Sequence, residues 1–560
     1  MRRRDFESLN TATFDLLIVG GGIHGLMAAY EAAARGLRVA LIERGDFAAA
    51  TSFNHQRTAH GGLRSLGSAR IDLARESIRE RHTLARIAPR LLRPLPFIVG
   101  TYRSLAKGRL ALRAAFGIDK WLARRRNDGL EPELHLPPPR LTSRAATLKL
   151  FHGIRAEGLT GGASWYDYQI VYSSRLAIAV AEAADAQGAR LINHAEAIAA
   201  LRDGSRVAGM RVRDVLTGEE TDARALVTMN AAGSRAGEIA KMFGVTGAAA
   251  DVRLVLAMNL VTSKLASDMA LAARSSSGRM LTLTPWHGRA LVGTMQRDEF
   301  ANGSAVVMTA DDIARAIAEA NSAFPALKLT REDVTLVHRA NVPAERGRSG
   351  RAEFLGAPQI RNHDRDGAPG AMTLVGVKFT TARAAAARAV ATAARAMATA
   401  PKTASTAPTS AGRSSSHGRG VDTRTTPLPG AGIADHEALA IETARAVHLE
   451  LAPPLIRHLT SLYGDRCAAI VRLMAERSEW RMPLVAGLPN VGAEVIHAIR
   501  AEMACTLADV VIRRTELGAM GYPGAEIVRA AAAVAAEELN WDAARLNAEI
   551  GAIDAMYRTI

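Results

Sequence analysis

Asp15-Leu-Leu-Ile-Val-Gly-Gly-Gly-Ile-His-Gly25 decides how this chain is read. Residues 16–19 form a short apolar run that fits a fully buried strand, and Gly20, Gly22 and Gly25 give the spacing G-x-G-x-x-G where a helix would begin. The first glycine permits a tight turn, the second lets backbone approach a pyrophosphate, and the third lets helix and strand pack closely. Residues 28–34 continue as helix, Gly36 stops it, and 37–42 reads as a second strand ending at Glu43. An acid there, about 20 residues past the glycines, suits a hydrogen bond to a ribose hydroxyl. Together these elements describe a dinucleotide site, without choosing between a flavin and a nicotinamide.

Outside this unit, 560 residues are too many for one core and predict two or three domains. No apolar run approaches the roughly 18 residues needed to span a bilayer, and the basic N-terminus lacks an apolar signal segment, so a cytoplasmic protein is expected. Only Cys467 and Cys505 are present, too few for a disulfide framework and without metal-ligand spacing; both read as buried small hydrophobes, and no metal is expected. Lys plus Arg number 71 against 55 acids, a net charge of +16 that attracts phosphorylated substrates, anionic lipid or nucleic acid. At 4% aromatic residues there are few stacking platforms, which disfavours nucleic acid.

Past Glu43, the stretch Ala50-Thr51-Ser52 is followed by His60-Gly61-Gly62-Leu63-Arg64, a density of glycines and short polar groups that implies a loop pressed against something flat. These two stretches, after the G-G-G-I-x-G turn, resemble the FAD-dependent glycerol-3-phosphate dehydrogenases. The resemblance implies that this loop lies beside the isoalloxazine ring. Asn230-Ala-Ala232-Gly233, ending a buried strand, resembles the family's second flavin-contacting turn, and Gly376-Val-Lys378-Phe-Thr380-Thr381-Ala-Arg383 resembles its Gly-Gly-Lys-x-Thr-Thr-x-Arg stretch. A helix N-terminus aimed at the flavin N1/C2=O edge stabilises the negative charge of the reduced ring, and this second glycine turn decides for FAD. Residues 500–515 resemble the family's helical C-terminal cap.

The implied architecture is α/β: a Rossmann-like FAD-binding domain with an antiparallel-sheet substrate domain of glucose-oxidase/amino-acid-oxidase type, interleaved over 1–400, the substrate sheet mainly in 80–160 and 250–350. Residues 401–434, rich in Ser, Thr, Pro and Gly, read as a flexible linker, and 435–560 as an all-α domain. Residues 165–169 are expected to lead into a helix around 176–187. The stretch 101–127 interleaves Arg103, Lys107, Arg109, Arg113, Lys120, Arg124, Arg125 and Arg126 with Phe116, Ile118 and Trp121. Such a basic amphipathic segment suits an anionic membrane surface, and a helix packed on the protein with a solvated basic face fits it equally.

Oxidising a secondary alcohol by hydride transfer to a flavin needs a base for the hydroxyl proton and, for a phosphorylated substrate, cations. His60 is the candidate base. Arg64, Arg361 and Lys378 are the candidate phosphate ligands, with His60, Arg64 and Lys378 as the catalytic set. The expected FAD contacts are Gly20, Gly22, Gly25, Glu43, Thr51, Ser52, His60, Gly61, Gly62, Leu63, Ala232, Gly233, Gly376, Lys378, Thr380 and Thr381. Several positions depart from the family. Val342, in Ala340-Asn-Val342-Pro343, stands where a substrate-contacting arginine is expected, Asn259 where a histidine is, and Ser65 where a tyrosine is. Losing an arginine paired with phosphate costs about 1.5–3 kcal/mol. His338, Arg339 and the basic loop 346–351 are candidates to replace that charge. The resemblance implies oxidation of sn-glycerol 3-phosphate to dihydroxyacetone phosphate with electrons passing to quinone, at the inner face of the cytoplasmic membrane; a homodimer is compatible with it. Two other readings stay open: the same flavin chemistry on another polyol, sugar phosphate or hydroxy acid, reoxidised by quinone or O2, and a flavin-binding scaffold without turnover.

Overall fold

The computed structural model describes residues 1, 4–63, 70–103, 109–301, 306–347, 350–398, 421–432 and 435–558. Phe14–Val19 is a strand buried at every residue but Asp15. Val39–Ile42 flanks it in parallel on one side and Glu220–Asn230 on the other, so that Ile42, Val19 and Asn230 lie side by side. Arg190–Ile192 and Ala371–Val375 extend the parallel sheet at either end, and Gln359–Asn362 closes one edge antiparallel. Near-continuous apolar runs are what a parallel sheet covered on both faces requires. On one face Leu16, Ile18 and Leu41 meet the helices Ile23–Ala34, Ser173–Ala186 and Ala382–Ala398, whose buried alanines, Ala28, Ala32, Ala181, Ala385 and Ala389 among them, let the helices approach closely. On the other face Leu17, Val19 and Ile42 meet the antiparallel strands Ala195–Asp203 and Arg206–Asp214. Because the parallel strands share one direction, the turns after Val19, Ile42, Asn230 and Val375 converge at a single edge, the place where open α/β sheets bind ligands.

A second, ten-stranded sheet draws its strands from 58–59, 92–170 and 254–354. It is antiparallel except where Leu92–Tyr102 meets Ala270–Arg274 in parallel. Along Leu254–Leu265 and Val334–Arg346 the two-residue alternation divides the side chains. Leu256, Met258, Leu260 and Val337 pack beneath the helix Ala310–Ala323, while Ala257, Ala340 and Val342 face Val377, in the turn after Val375. One face of the second sheet therefore looks onto the loop edge of the first.

Residues 165–169 end the strand Leu159–Ile170, which leads into the helix Ser173–Ala186 as expected. Two features differ from expectation. Arg361 sits on the edge strand Gln359–Asn362. The described part of the expected linker, 421–432, is packed: Thr423 Oγ1 lies against Glu31 and Arg383, and Leu428 is buried with its N–H donating to the Ile87 carbonyl at 2.8 Å. Its Pro/Thr/Gly composition concealed these few anchoring groups. Residues 401–420 lie outside the described residues.

The C-terminal helices, from His436–Ala446 to Ala543–Arg558, include a π-helical turn, Asp509–Arg514. They are fastened to the first sheet's layer by buried ion pairs. Arg175 grips Glu502 with two bonds of 2.6 Å, and Asp46 takes Arg513 at 2.5 Å and Arg514 at 2.6 and 2.8 Å. Burial alone would raise these carboxyls, but Arg514 beside Asp46 and Arg175 beside Glu502 outweigh it and hold both below the ordinary carboxylate range. A carboxyl lowered in the folded state contributes stability that is whole above its unfolded pKa of about 4 and is lost as pH falls through the lower folded value. The melting temperature is therefore expected to drop steeply below about pH 4. Asp46→Asn should lower it at pH 7, by an amount corresponding to about 3–5 kcal/mol, and flatten the acid limb in calorimetry.

Candidate active site

At the converging edge, the first turn is built so that only glycines fit where the strands and helix meet. A Cβ on Gly20, whose φ is +113°, would lie 2.6 Å from the Ala231 carbonyl oxygen, and one on Gly25 would lie 1.9 Å from the Gly20 oxygen. A Cβ on Gly22 would meet only Ser52 Oγ, at 3.3 Å, which leaves that backbone open to close approach. Glu43 accepts the Gly21 N–H at 2.7 Å and the Gly45 N–H at 2.8 Å, while burial pushes its carboxyl up against those bonds. Ser52 Oγ accepts the Ile23 N–H at 2.9 Å and so ties the following loop, with half-buried Thr51, to the helix start. Asn230 shapes the neighbouring turn: its Oδ1 accepts the Ala232 N–H and its Nδ2 donates to the Ala236 carbonyl, with Gly233 at φ +58°.

The second glycine turn touches the first. A Cβ on Gly376 would fall 2.1 Å from the His24 ring, and burial there holds His24 at about 4, neutral at pH 7. Thr380 Oγ1 accepts the His60 N–H at 3.1 Å, and Phe379 stacks on His55 with ring centroids 4.9 Å apart. The loop 50–63 and the turn 376–381 are thereby one surface, with Thr380 and Thr381 buried and Lys378 half-buried in it.

His60 projects from this surface with 56% of its side chain exposed, and its Nδ1 lies 3.1 Å from Asp167 Oδ2. Asp167, buried in the strand Leu159–Ile170, also accepts the Gly61 N–H at 2.7 Å, Arg81 at 2.5 Å and the Trp165 indole N–H at 3.3 Å. Burial opposes its charge, but the hydrogen bond with His60 and the charge of Arg81 hold the carboxyl below its usual range. An anionic Asp167 fixes the Nδ1–H tautomer and leaves Nε2 as an acceptor. A Cβ on Gly61 would lie 2.1 Å from the Arg81 guanidinium and would displace it. Sequence reading missed Asp167; the alternation of Trp165, Asp167 and Gln169 was the available signal.

The other sequence candidates are placed as follows. Arg361, expected at the substrate, spends its guanidinium on the Ala249 and Asp251 carbonyls, at 2.9 and 3.1 Å, and on Gln359, at 2.6 Å. The edge strand aims it at the end of the short helix Gly247–Ala250. Arg64 and Ser65 lie outside the described residues, while Leu63 and Gly62 border Arg81 and Ala74. Val342 faces Val377, and Asn259 is buried with its Oδ1 accepting the Thr294 hydroxyl at 2.8 Å. His338 is opposite Asn259 and fully buried among Phe53 and Trp286; burial, with Arg57 nearby, holds it well below its ordinary value, so it supplies no cation. Alternation puts Arg339 on the far face, and exposed Arg351 reaches Ser277 and Asp298. Cys467 is buried and Cys505 half-buried. His194, Cys505 and Asp509 come within 4.8 Å of one another, but Asp509 is already held by Arg513 and by the Cys505 and Thr506 N–H groups.

Paired glycine turns at one sheet edge, an acid closing the second strand and a sheet roofing them coincide with a match over residues 15–393 to the family of FAD dependent oxidoreductases. The chain belongs to that family. FAD is accordingly the oxidoreductase's cofactor, and the open backbone at Gly22 fits it. Residues 421–546 match the C-terminal domain of alpha-glycerophosphate oxidase, so the C-terminal unit starts where the packed stretch 421–432 does. The oxidoreductase is 30% identical over 534 residues to a glycerol-3-phosphate dehydrogenase of Synechocystis, covering 92% of this chain and 90% of that one. It is 28% identical to the human mitochondrial glycerol-3-phosphate dehydrogenase, covering 95% and 71%. The solved glycerol-3-phosphate dehydrogenase of Bacillus halodurans, complexed with FAD, superposes with a TM-score of 0.71 at 20% identity, covering 99% of this chain and 96% of that one.

Proposed function

We propose that this flavoprotein oxidises the C2 alcohol of sn-glycerol 3-phosphate to dihydroxyacetone phosphate and passes the electrons to a membrane quinone. The observation that carries the reading is the His60–Asp167 pair, joined to the second glycine turn through Thr380. Bound FAD supplies the hydride acceptor. In this reading Gly20, Gly22, Gly25 and Glu43 hold its ADP half, and Thr51, Ser52, residues 60–63, Ala232, Gly233, Gly376, Lys378, Thr380 and Thr381 hold the remainder. His60 Nε2 takes the hydroxyl proton, and the resulting imidazolium is stabilised by Asp167. Lys378 and Arg64 bind the phosphate. The names of the dehydrogenase relatives support the substrate. Turnover of glycerol 3-phosphate with an artificial electron-accepting dye, with dihydroxyacetone phosphate as product, tests it; no turnover would contradict it.

One observation favours a second reading, the same chemistry on another hydroxylated compound. Ala257, Ala340 and Val342 pack with Phe354 and Val377 into an apolar wall over the second turn, which offers a phosphate no partner. If glycerol 3-phosphate is inert and an uncharged alcohol or hydroxy acid turns over, this reading replaces the first.

Attachment to the membrane surface is part of the proposal. No helix among the described residues is long and apolar enough to cross a bilayer. On the helix Arg109–Leu122 and just beyond it, Ile118 and Trp121 are 42% and 61% exposed, among exposed Arg113, Lys120, Arg124 and Arg125. Phe116 is buried, and Arg126 turns inward to Asp119 at 3.2 Å, so it is withdrawn from the expected basic face. Reversing the four exposed charges to Glu is expected to release the protein from vesicles containing anionic lipid in a flotation assay, at about 1 kcal/mol per charge. Unchanged flotation would show that this face does not meet the membrane.

A further inference from the structure

The loop 46–57, which carries Thr51 and Ser52, lies between two partners. Its inner side is bonded to the first glycine turn: the Ala48 N–H donates to the Gly21 carbonyl at 2.9 Å, and Ser52 Oγ accepts from Ile23. Its outer side is held by one short segment of the helical domain. At the loop's start, Asp46, 2% exposed, takes three bonds from Arg513 and Arg514. Two adjacent residues reach one carboxylate because the helix is wound as a π turn there, with the Thr515 N–H donating five residues back to the Val510 carbonyl at 3.0 Å. Towards the loop's end, Phe53 is buried in the helical domain's apolar cluster with Leu507, Val510 and Val511. Arg57 follows with no exposure. Its guanidinium lies between Trp286, at 4.1 Å, and Phe53, at 5.1 Å, and bonds Ser173. Glu516, closing the same segment, favours the Arg57 cation electrostatically, while burial pushes its own carboxyl up.

These contacts lie on side chains that a domain boundary has no need to spend on one twelve-residue loop. A charged anchor on buried atoms is costly unless it fixes a geometry, and the best-attested use of buried ion pairs is to fix register. We propose that segment 507–516 of the helical domain is a positioning element for FAD, setting loop 46–57 against the first glycine turn so that cofactor binding and docking of the helical domain are coupled. Coupling between two binding events is reciprocal. FAD should tighten the segment, and loosening the segment should weaken FAD.

The test uses the full-length chain with and without FAD. Hydrogen exchange followed by mass spectrometry is expected to show that FAD slows exchange in 505–516 as well as in 14–61, while the helix Ala543–Arg558 is unchanged. In fluorescence titrations of the apoprotein, Arg514→Gln is expected to weaken FAD by about tenfold or more, and Arg514→Lys, which keeps the charge but not the paired bonds to Asp46, to recover only part of the affinity. A merely structural contact would lower the melting temperature of apo and FAD-bound protein alike and leave the affinity for FAD where it was. If Arg514→Gln does not fold, Glu516→Gln, at the other end of the segment, takes its place in the titration. Protection confined to 14–61, or wild-type FAD affinity in the folded variant, would overturn the proposal.

Discussion

Replacing His60 by Gln is expected to slow reduction of the bound flavin by substrate by about 10²–10⁴-fold, with FAD still bound. The side chain is exposed on the surface formed by loop 50–63 and the second turn, and one ring nitrogen is committed to Asp167. Only the other is free to act on a substrate hydroxyl. Glutamine keeps a polar group of similar reach but has no basic nitrogen, so the loss falls on proton removal rather than on binding. Stopped-flow reduction under anaerobic conditions reads the rate directly. Raising the pH should recover part of the loss, because hydroxide can then do what the imidazole did. A variant that reduces its flavin at the wild-type rate would remove His60 from the chemistry.

The second large effect concerns the cofactor itself. Gly25→Ala is expected to yield protein without flavin, since the added Cβ would lie 1.9 Å from the Gly20 carbonyl oxygen, backbone that cannot move without opening the turn. Gly36→Ala is the matched control. Gly36 also has a positive φ, +80°, but no atom within 4 Å of the added carbon, so it should cost about 1 kcal/mol of strain and keep FAD. The ratio of visible to ultraviolet absorbance of the two purified proteins decides the comparison.

The glycine turns were legible because their requirement is local. A tight turn, a close backbone approach and an acid at a strand end leave residue-type signatures within about 25 residues; Gly20, Glu43 and Gly376 fall where parallel strands end, and Gly25 in the first turn of the helix that follows. Asp167 was hidden because its partners, His60 and Arg81, are 107 and 86 residues away and meet it only when the strand Thr58–Ala59 pairs with Leu159–Ile170 and the helix Ile71–Ile87 packs beside them. Arg361 shows the converse. An arginine in a polar stretch has the composition of an anion ligand, and only the edge-strand geometry shows its donors taken by the carbonyls of 249 and 251. The departures at Val342 and Asn259 were visible as residue types, but their meaning depended on which face of the sheet each occupies. The structure puts Val342 on the wall over the second turn and closes Asn259 against Thr294.

The central claim is that a small hydroxylated substrate hands a hydride to FAD over the His60–Asp167 pair. It is tested most directly by mixing the FAD-bound protein with glycerol 3-phosphate in the absence of oxygen and following the flavin's visible band. The account predicts bleaching by one equivalent of two electrons with formation of one dihydroxyacetone phosphate, abolished on this timescale by His60→Gln. A flavin that dithionite reduces but that stays oxidised with glycerol 3-phosphate and with every other alcohol or hydroxy acid offered would contradict it.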